Sequence, residues 1–193
     1  MATRFLDKVT TPTTTDTPNL PNAAGISYDT TTGTLVYNDA GTLRYITAGN
    51  AAPVSVTGTT LTVSAASHAG RTVLLSNVAG CAVTLPAATG SGAKYRFVRS
   101  AALTSGSDVI SAASGELFAG YSISEDSGDS TPADATIFAT VNASTNTWTD
   151  ASAGGGGEIG DFFEAEDIAT DQWAVKGFIQ AVLDSTASPF SAV

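Results

Sequence analysis

The segment Thr72 to Val98, TVLLSNVAGCAVTLPAATGSGAKYRFV, constrains the fold more than any other part of the chain. It sets three short runs of alternating apolar residues between turn signals. Val73 and Leu75 share one face of the first run, Cys81, Val83 and Leu85 one face of the second, and Tyr95 and Phe97 one face of the third. Asn77 to Gly80 and Pro86 to Gly92 supply the turns. A repeat of two with turns this close together specifies sheet, and nothing within it is arranged for chemistry.

The same pattern continues along the chain. Candidate strands are Val54–Val56, Thr60–Ser64, Thr72–Ser76, Cys81–Leu85, Lys94–Val98, Asp108–Ser111, Gly120–Ser124, Thr136–Asn142 and Thr147–Thr149. Their spacing predicts an all-β fold, an antiparallel β-sandwich or barrel of jelly-roll-like arrangement, spanning residues 51–193. Ahead of it, residues 25–50 alternate Ile26/Tyr28, Leu35/Tyr37 and Leu43/Tyr45 with polar partners, which predicts a small β-meander or stem. So small a sheet needs its apolar face covered by the main domain or by copies of itself. Residues 1–24 are rich in Thr and Pro, and Pro12, Pro18 and Pro21 make them an extended N-terminal arm rather than a helix. Residues 154–157 are four glycines, expected to form a surface loop.

Phe162 to Leu183 is the one stretch where a helix competes, because Trp173, Val175, Phe178, Ile179, Val182 and Leu183 are apolar nearly all round. Strand alternation would bury Trp173, Val175 and Ile179 together. Gly177 weakens a helix interior by about 1 kcal/mol relative to alanine.

Charge narrows the partners. The 193-residue chain carries a formal net charge of −10, and only 13% of its residues are charged. Its first 107 residues hold seven basic and four acidic side chains; the remainder hold one basic and fourteen acidic. Without a basic stripe, such a chain repels phosphate, so no nucleic acid is expected as a partner. No segment approaches the ~20 apolar residues that cross a bilayer, so no membrane partner is expected either. The uneven charge suggests a nearly neutral half docked on a partner and an acidic half facing water.

Candidate chemistry is sparse. The single histidine, His68, falls in a Ser-His-Ala-Gly turn with no nucleophile elbow around it. Cys81 alternates with Val83 and Leu85, the pattern of a small buried hydrophobe, and as the only cysteine it forms neither a disulfide within the chain nor a cysteine-built metal site. Glu125, Asp126 and Asp129 could gather calcium but match no EF-hand spacing. Glu164, Glu166 and Asp167 could suggest glycoside hydrolysis, yet aromatics are only 8% and scattered. Gly90-Ser91-Gly92 reads as a turn rather than a phosphate loop. Asn142-Ala143-Ser144 matches a glycosylation acceptor, a frequent chance triplet. No enzyme activity, cofactor or metal is therefore expected. Lys94, Arg96 and Arg99 cluster on and beside one strand, Lys94 and Arg96 opposite Tyr95 and Phe97, and suit an intersubunit contact to carboxylates. In the arm, Arg4, Phe5, Leu6 and Val9 suit a contact with a neighbouring subunit, as an added strand.

The phrase TLPAATGSGAKYRFV resembles a segment of tailed-bacteriophage structural proteins of the head decoration (cement) or head-fibre type. Gly25 to Ile46 resembles the short meanders of phage fibre proteins. The ending WAVKGFIQAVLDSTASPFS resembles the Trp-Val-x-Gly to Thr-Pro-Phe-Ser ending of the decoration type, with Ser188 in place of threonine and a longer apolar run before it. That likeness favours strand over helix in Phe162 to Leu183. The resemblance implies a non-enzymatic virion protein, made in the host cytoplasm, that binds the major capsid protein on the outer shell as a homotrimer and stabilises it. A receptor- or carbohydrate-binding fibre module is the alternative, in which loops of the sandwich grip a host surface.

Overall fold

The structure is a computed structural model and describes residues 26–29, 34–39, 42–46, 52–126, 135–141, 144–154, 156–181 and 187–192. The chain divides after Ala48 into two compact units. The first contains the expected meander: β1 (Ile26–Asp29), β2 (Thr34–Asp39) and β3 (Thr42–Ile46) pair antiparallel in that order.

The second unit is a sandwich of two sheets. Its strands are β4 (Val54–Val56), β5 (Thr60–Thr62), β6 (Thr72–Leu75), β7 (Ala82–Thr84), β8 (Lys94–Arg99), β9 (Ser107–Ser111), β10 (Leu117–Asp126), β11 (Ala135–Ala139), β12 (Thr147–Ala151), β13 (Phe162–Ala169), β14 (Gln172–Ala181) and β15 (Phe190–Ser191). One sheet has seven strands in the order β11-β10-β14-β13-β8-β6-β4, the other five in the order β15-β12-β9-β7-β5. All nine strands expected between Val54 and Thr149 are present. Phe162 to Ala181 is a hairpin of two strands, and Trp173, Val175 and Ile179 are buried together on β14. Asp171 closes that hairpin at φ 60°, a backbone position that aspartate tolerates better than most residues.

The sheets are mixed, which corrects the expectation of purely antiparallel pairing. Between β4 and β9 successive strands go to opposite sheets, so the chain winds as three flattened coils. Strands β4, β6 and β8 then stack parallel on one side and β5, β7 and β9 parallel on the other. Strand β10 also pairs parallel, with β14. The reason is local: each turn is a corner that carries the chain across the core rather than a hairpin that returns it beside the previous strand.

The register of the pairs explains the core. Leu61, Val83, Ile110, Trp148 and Phe190 are cross-strand neighbours on the inner face of the five-stranded sheet. Opposite them run Val73, Phe97, Phe163, Gly177, Ser122 and Phe138. Trp148 fills the notch left by the two smallest of these. Its indole nitrogen donates to Ser122 Oγ at 3.2 Å, it lies 5.0 Å from the Phe163 ring, and a Cβ on Gly177 would stand 2.8 Å from that nitrogen. Gly177, which argues against a helix in the sequence, is thus required by packing between the sheets.

In the four-glycine run, the expectation is corrected at its last two positions. Gly156 and Gly157 are buried rather than looped at the surface: a Cβ at Gly156 would strike Asp150, and Gly157, at φ 82°, packs on Leu103. His68 is also buried, at the end of the short helix α1 (Ala65–His68), where its Nδ1 accepts from the Ser64 backbone N–H at 3.1 Å.

Candidate functional site

Alternation sends one side of each strand of the seven-stranded sheet outward, away from the sandwich core, and three rows of side chains run across that outer face. Ile137, Ile123, Phe178, Phe162, Val98 and Leu74 are successive cross-strand neighbours on six strands and form a continuous apolar row. Ile137 is 68% exposed, and the other five are half-buried. Phe162 and Phe178 stack with ring centres 6.1 Å apart. A second side that is apolar over six strands is more than a solvated sheet face needs.

The next row is polar: Tyr121, Lys176, Glu164, Arg96 and Thr72. Glu164 sits between two cations, ion-paired to Arg96 and, at 2.8 Å, to Lys176. Partial burial pushes its carboxyl up, but the hydrogen bonds and charges of Lys176 and Arg96 outweigh this and hold it below the usual range. Glu164 in turn holds the Lys176 ammonium above its usual value. The Arg96 guanidinium also covers the Phe162 ring, 4.6 Å from its centre, and so joins the polar row to the apolar one. In the third row Lys94 meets Glu166 at 3.2 Å. Together with Arg71, whose Nε and Nη2 donate to the Ala52 carbonyl, these side chains line a concavity of about 550 Å³.

Lys94 and Arg96 therefore lie where the alternation puts them, exposed and on one face. Arg99 does not. Its side chain is 1% exposed and is used within the chain, which corrects its assignment as an intersubunit contact. Arg99 Nη1 donates to both oxygens of Asp108 at 2.8 and 2.7 Å, Nε donates to the Ala101 carbonyl at 2.7 Å, and Nη2 to that of Asn77. The alternation of β8 has the opposite outcome here because Arg99 shares the inward parity of Tyr95 and Phe97.

The acidic residues separate into roles. Glu164 and Glu166 belong to the outer ladder, whereas Asp167 turns inward and fills the turn that follows β7. It accepts from the backbone N–H groups of Thr89 (2.9 Å), Gly90 (2.6 Å) and Ser91 (3.0 Å) and from the Ser91 hydroxyl at 2.6 Å. Burial raises its carboxyl, but these donors outweigh burial and bring it down to about 2. Glycine and serine in that turn thus form an anion nest already filled by the protein's own carboxylate. Glu116 likewise receives the Trp173 indole N–H at 2.8 Å and the Ala88 N–H at 2.7 Å.

Cys81 is buried, and burial pushes its thiol up, with the Asp108 carboxylate adding to the rise and Arg99 opposing it. Among the described residues no three His, Cys, Asp or Glu side chains are grouped to hold a metal ion, and no helix is long and apolar enough to cross a membrane. Of the calcium candidates, Glu125 and Asp126 end β10, while Asp129 lies outside the described residues, as do the arm residues Arg4, Phe5, Leu6 and Val9 and the Asn142-Ala143 pair.

Fold and surface together define a mixed β-sandwich that carries an apolar row and an ion-paired ladder on the outer face of its larger sheet. Comparison with protein-family models, curated proteins and solved structures finds no match to this chain.

Proposed function

We propose that the chain is a non-enzymatic virion protein of a tailed phage, which binds the major capsid protein on the outer shell as a homotrimer and stabilises the shell. The observation that carries this reading is the outer face of the seven-stranded sheet: a six-strand apolar row beside charges already held in position by one another. Such a face binds by area and fit, with no reacting group required. Its charge fits the role. Four of the five basic side chains of the second unit, Arg71, Lys94, Arg96 and Lys176, line the concavity, while that unit carries fourteen acidic residues. The face thus gathers cations on an otherwise acidic unit and is suited to a partner's carboxylates. The resemblance of the 84–98 segment and of the chain's end to decoration proteins points the same way.

Electron cryo-microscopy of the parent particle with copy counting tests it. Hundreds of copies in three-fold clusters over the shell are the expected result. A dozen or fewer at one vertex, or none, contradicts it.

A receptor- or carbohydrate-binding module is the second reading, favoured by Tyr121, which is 45% exposed at the wall of the concavity. Saturable glycan binding that Tyr121→Ala removes would select this reading over shell attachment.

A further inference from the structure

The seven-stranded sheet ends at β11, and among the described residues no strand pairs with its outer edge. Residues 135–141, ATIFATV, contain no charge and no proline, and the β10–β11 ladder runs without a register shift. Ile137 and Val141 are 68% and 65% exposed. Soluble proteins ordinarily block such an edge with lysine, proline, a bulge or a covering segment. The hydrogen-bond phase of the edge follows from one contact: Thr140 N–H donates to the Gly120 carbonyl at 3.0 Å, so 140 pairs inward with 120. Alternation along an antiparallel ladder then directs Phe138 and Thr136 inward and leaves the backbone N–H and C=O groups of Ala135, Ile137 and Ala139 pointing off the edge.

We infer that β11 pairs antiparallel with β11 of a second copy, about a two-fold axis through Ile137. Ile137 is the midpoint of the strand and carries outward backbone groups, so with the axis there it forms a hydrogen-bonded pair with its own copy. Ile137 then faces Ile137 of the second copy, and Ala135 faces its Ala139, so every outward donor meets an acceptor. The apolar row, which runs off the edge at Ile137, continues into the same row of the second copy. Charge selects this occupant. Residues 49–193 hold five basic and fourteen acidic side chains, so most ways of apposing two copies bring carboxylates together, whereas β11 brings none. A two-fold contact cannot close a three-fold ring, so it joins one assembly to the next. It does not depend on shell attachment.

The test uses the full-length protein. In a hydrogen-bonded antiparallel pair the Cα atoms stand about 5.5 Å apart, within the ~4.4–6.8 Å a disulfide spans. The only natural cysteine, Cys81, is 1% exposed and does not compete. Ile137→Cys is expected to give a disulfide-linked dimer under mild oxidation in far higher yield than Tyr121→Cys, an exposed position on the same face. By sedimentation, the wild-type particle is expected to double in mass with rising concentration. Ile137→Lys, which opposes two charges at the axis, should raise the concentration required by about tenfold or more, with an unchanged urea midpoint at concentrations too low for the wild type to associate. A wild-type mass that does not change with concentration, equal cross-linking at 137 and 121, or doubling untouched by Ile137→Lys would each overturn the inference.

Discussion

The guanidinium of Arg99 reaches from β8 in one sheet to the Asp108 carboxylate on β9 in the other, and Asp108 also receives the Cys81 backbone N–H at 2.8 Å. Removing one partner of a buried pair strands the other. Arg99→Ala is expected to cost about 3–5 kcal/mol in urea unfolding, and a double replacement by apolar residues of similar volume far less. Burial pushes the Asp108 carboxyl up even with Arg99 present, so without arginine it takes a proton more readily, and the cost should grow as pH rises. Asp150 and Asp161 form a buried pair of carboxyls. Burial, then the charge of Asp161, pushes Asp150 up to about 8, and burial raises Asp161 against four hydrogen bonds that favour its ionised form. A carboxyl whose folded value lies above its unfolded one stabilises the fold below the unfolded value and loses that stabilisation as pH rises through the folded one. Stability should therefore decline between about pH 4 and pH 8. Asp150→Asn retains an oxygen for the Gly157 N–H and should flatten the decline by about 1–3 kcal/mol between pH 5 and pH 9, read from urea midpoints. An equally steep decline in the variant would exclude this pair as its source.

Among the elements, β10 and β14 run parallel along ten residue pairs, the longest ladder in the sandwich. Gly120 permits it: a Cβ there would strike the Val175 carbonyl of β14. Gly120→Ala should part the two strands locally and cost about 1–3 kcal/mol, whereas Gly115→Ala, with open space around it, carries only the strain of its φ of 89°. Denaturant unfolding of the two variants separates close approach from backbone conformation. Which residues face inward was legible in the sequence, since alternation assigns Val73, Leu75, Val83, Tyr95, Phe97, Trp173 and Val175 to the core by parity alone. Which strands pair was not. Alternation gives a residue's side of a sheet and says nothing of its neighbour, so the winding of β4 to β9 between two sheets produces the same string as a series of hairpins. Gly156 and Gly157 misled for a related reason, because a glycine that admits a buried neighbour and one that only bends a loop are identical in sequence.

On the scale of the whole molecule, the second unit is acidic except where β8, β13 and β14 meet. Half of that site was legible: Lys94 and Arg96 were found by their parity opposite Tyr95 and Phe97. Glu164, Lys176, Phe162 and Phe178 were not, because they join Arg96 only through pairings between strands distant in sequence. The clue present was that Phe162 to Leu183 is apolar nearly all round, which a strand shows when both of its sides are to be covered. Under the proposed function, this outer face is covered by neighbours in the assembled particle. Hydroxyl-radical footprinting of intact particles against free protein measures that directly. Protection of Tyr121, Phe162 and Phe178 on assembly is the predicted result; equal labelling of all three in both states would contradict it.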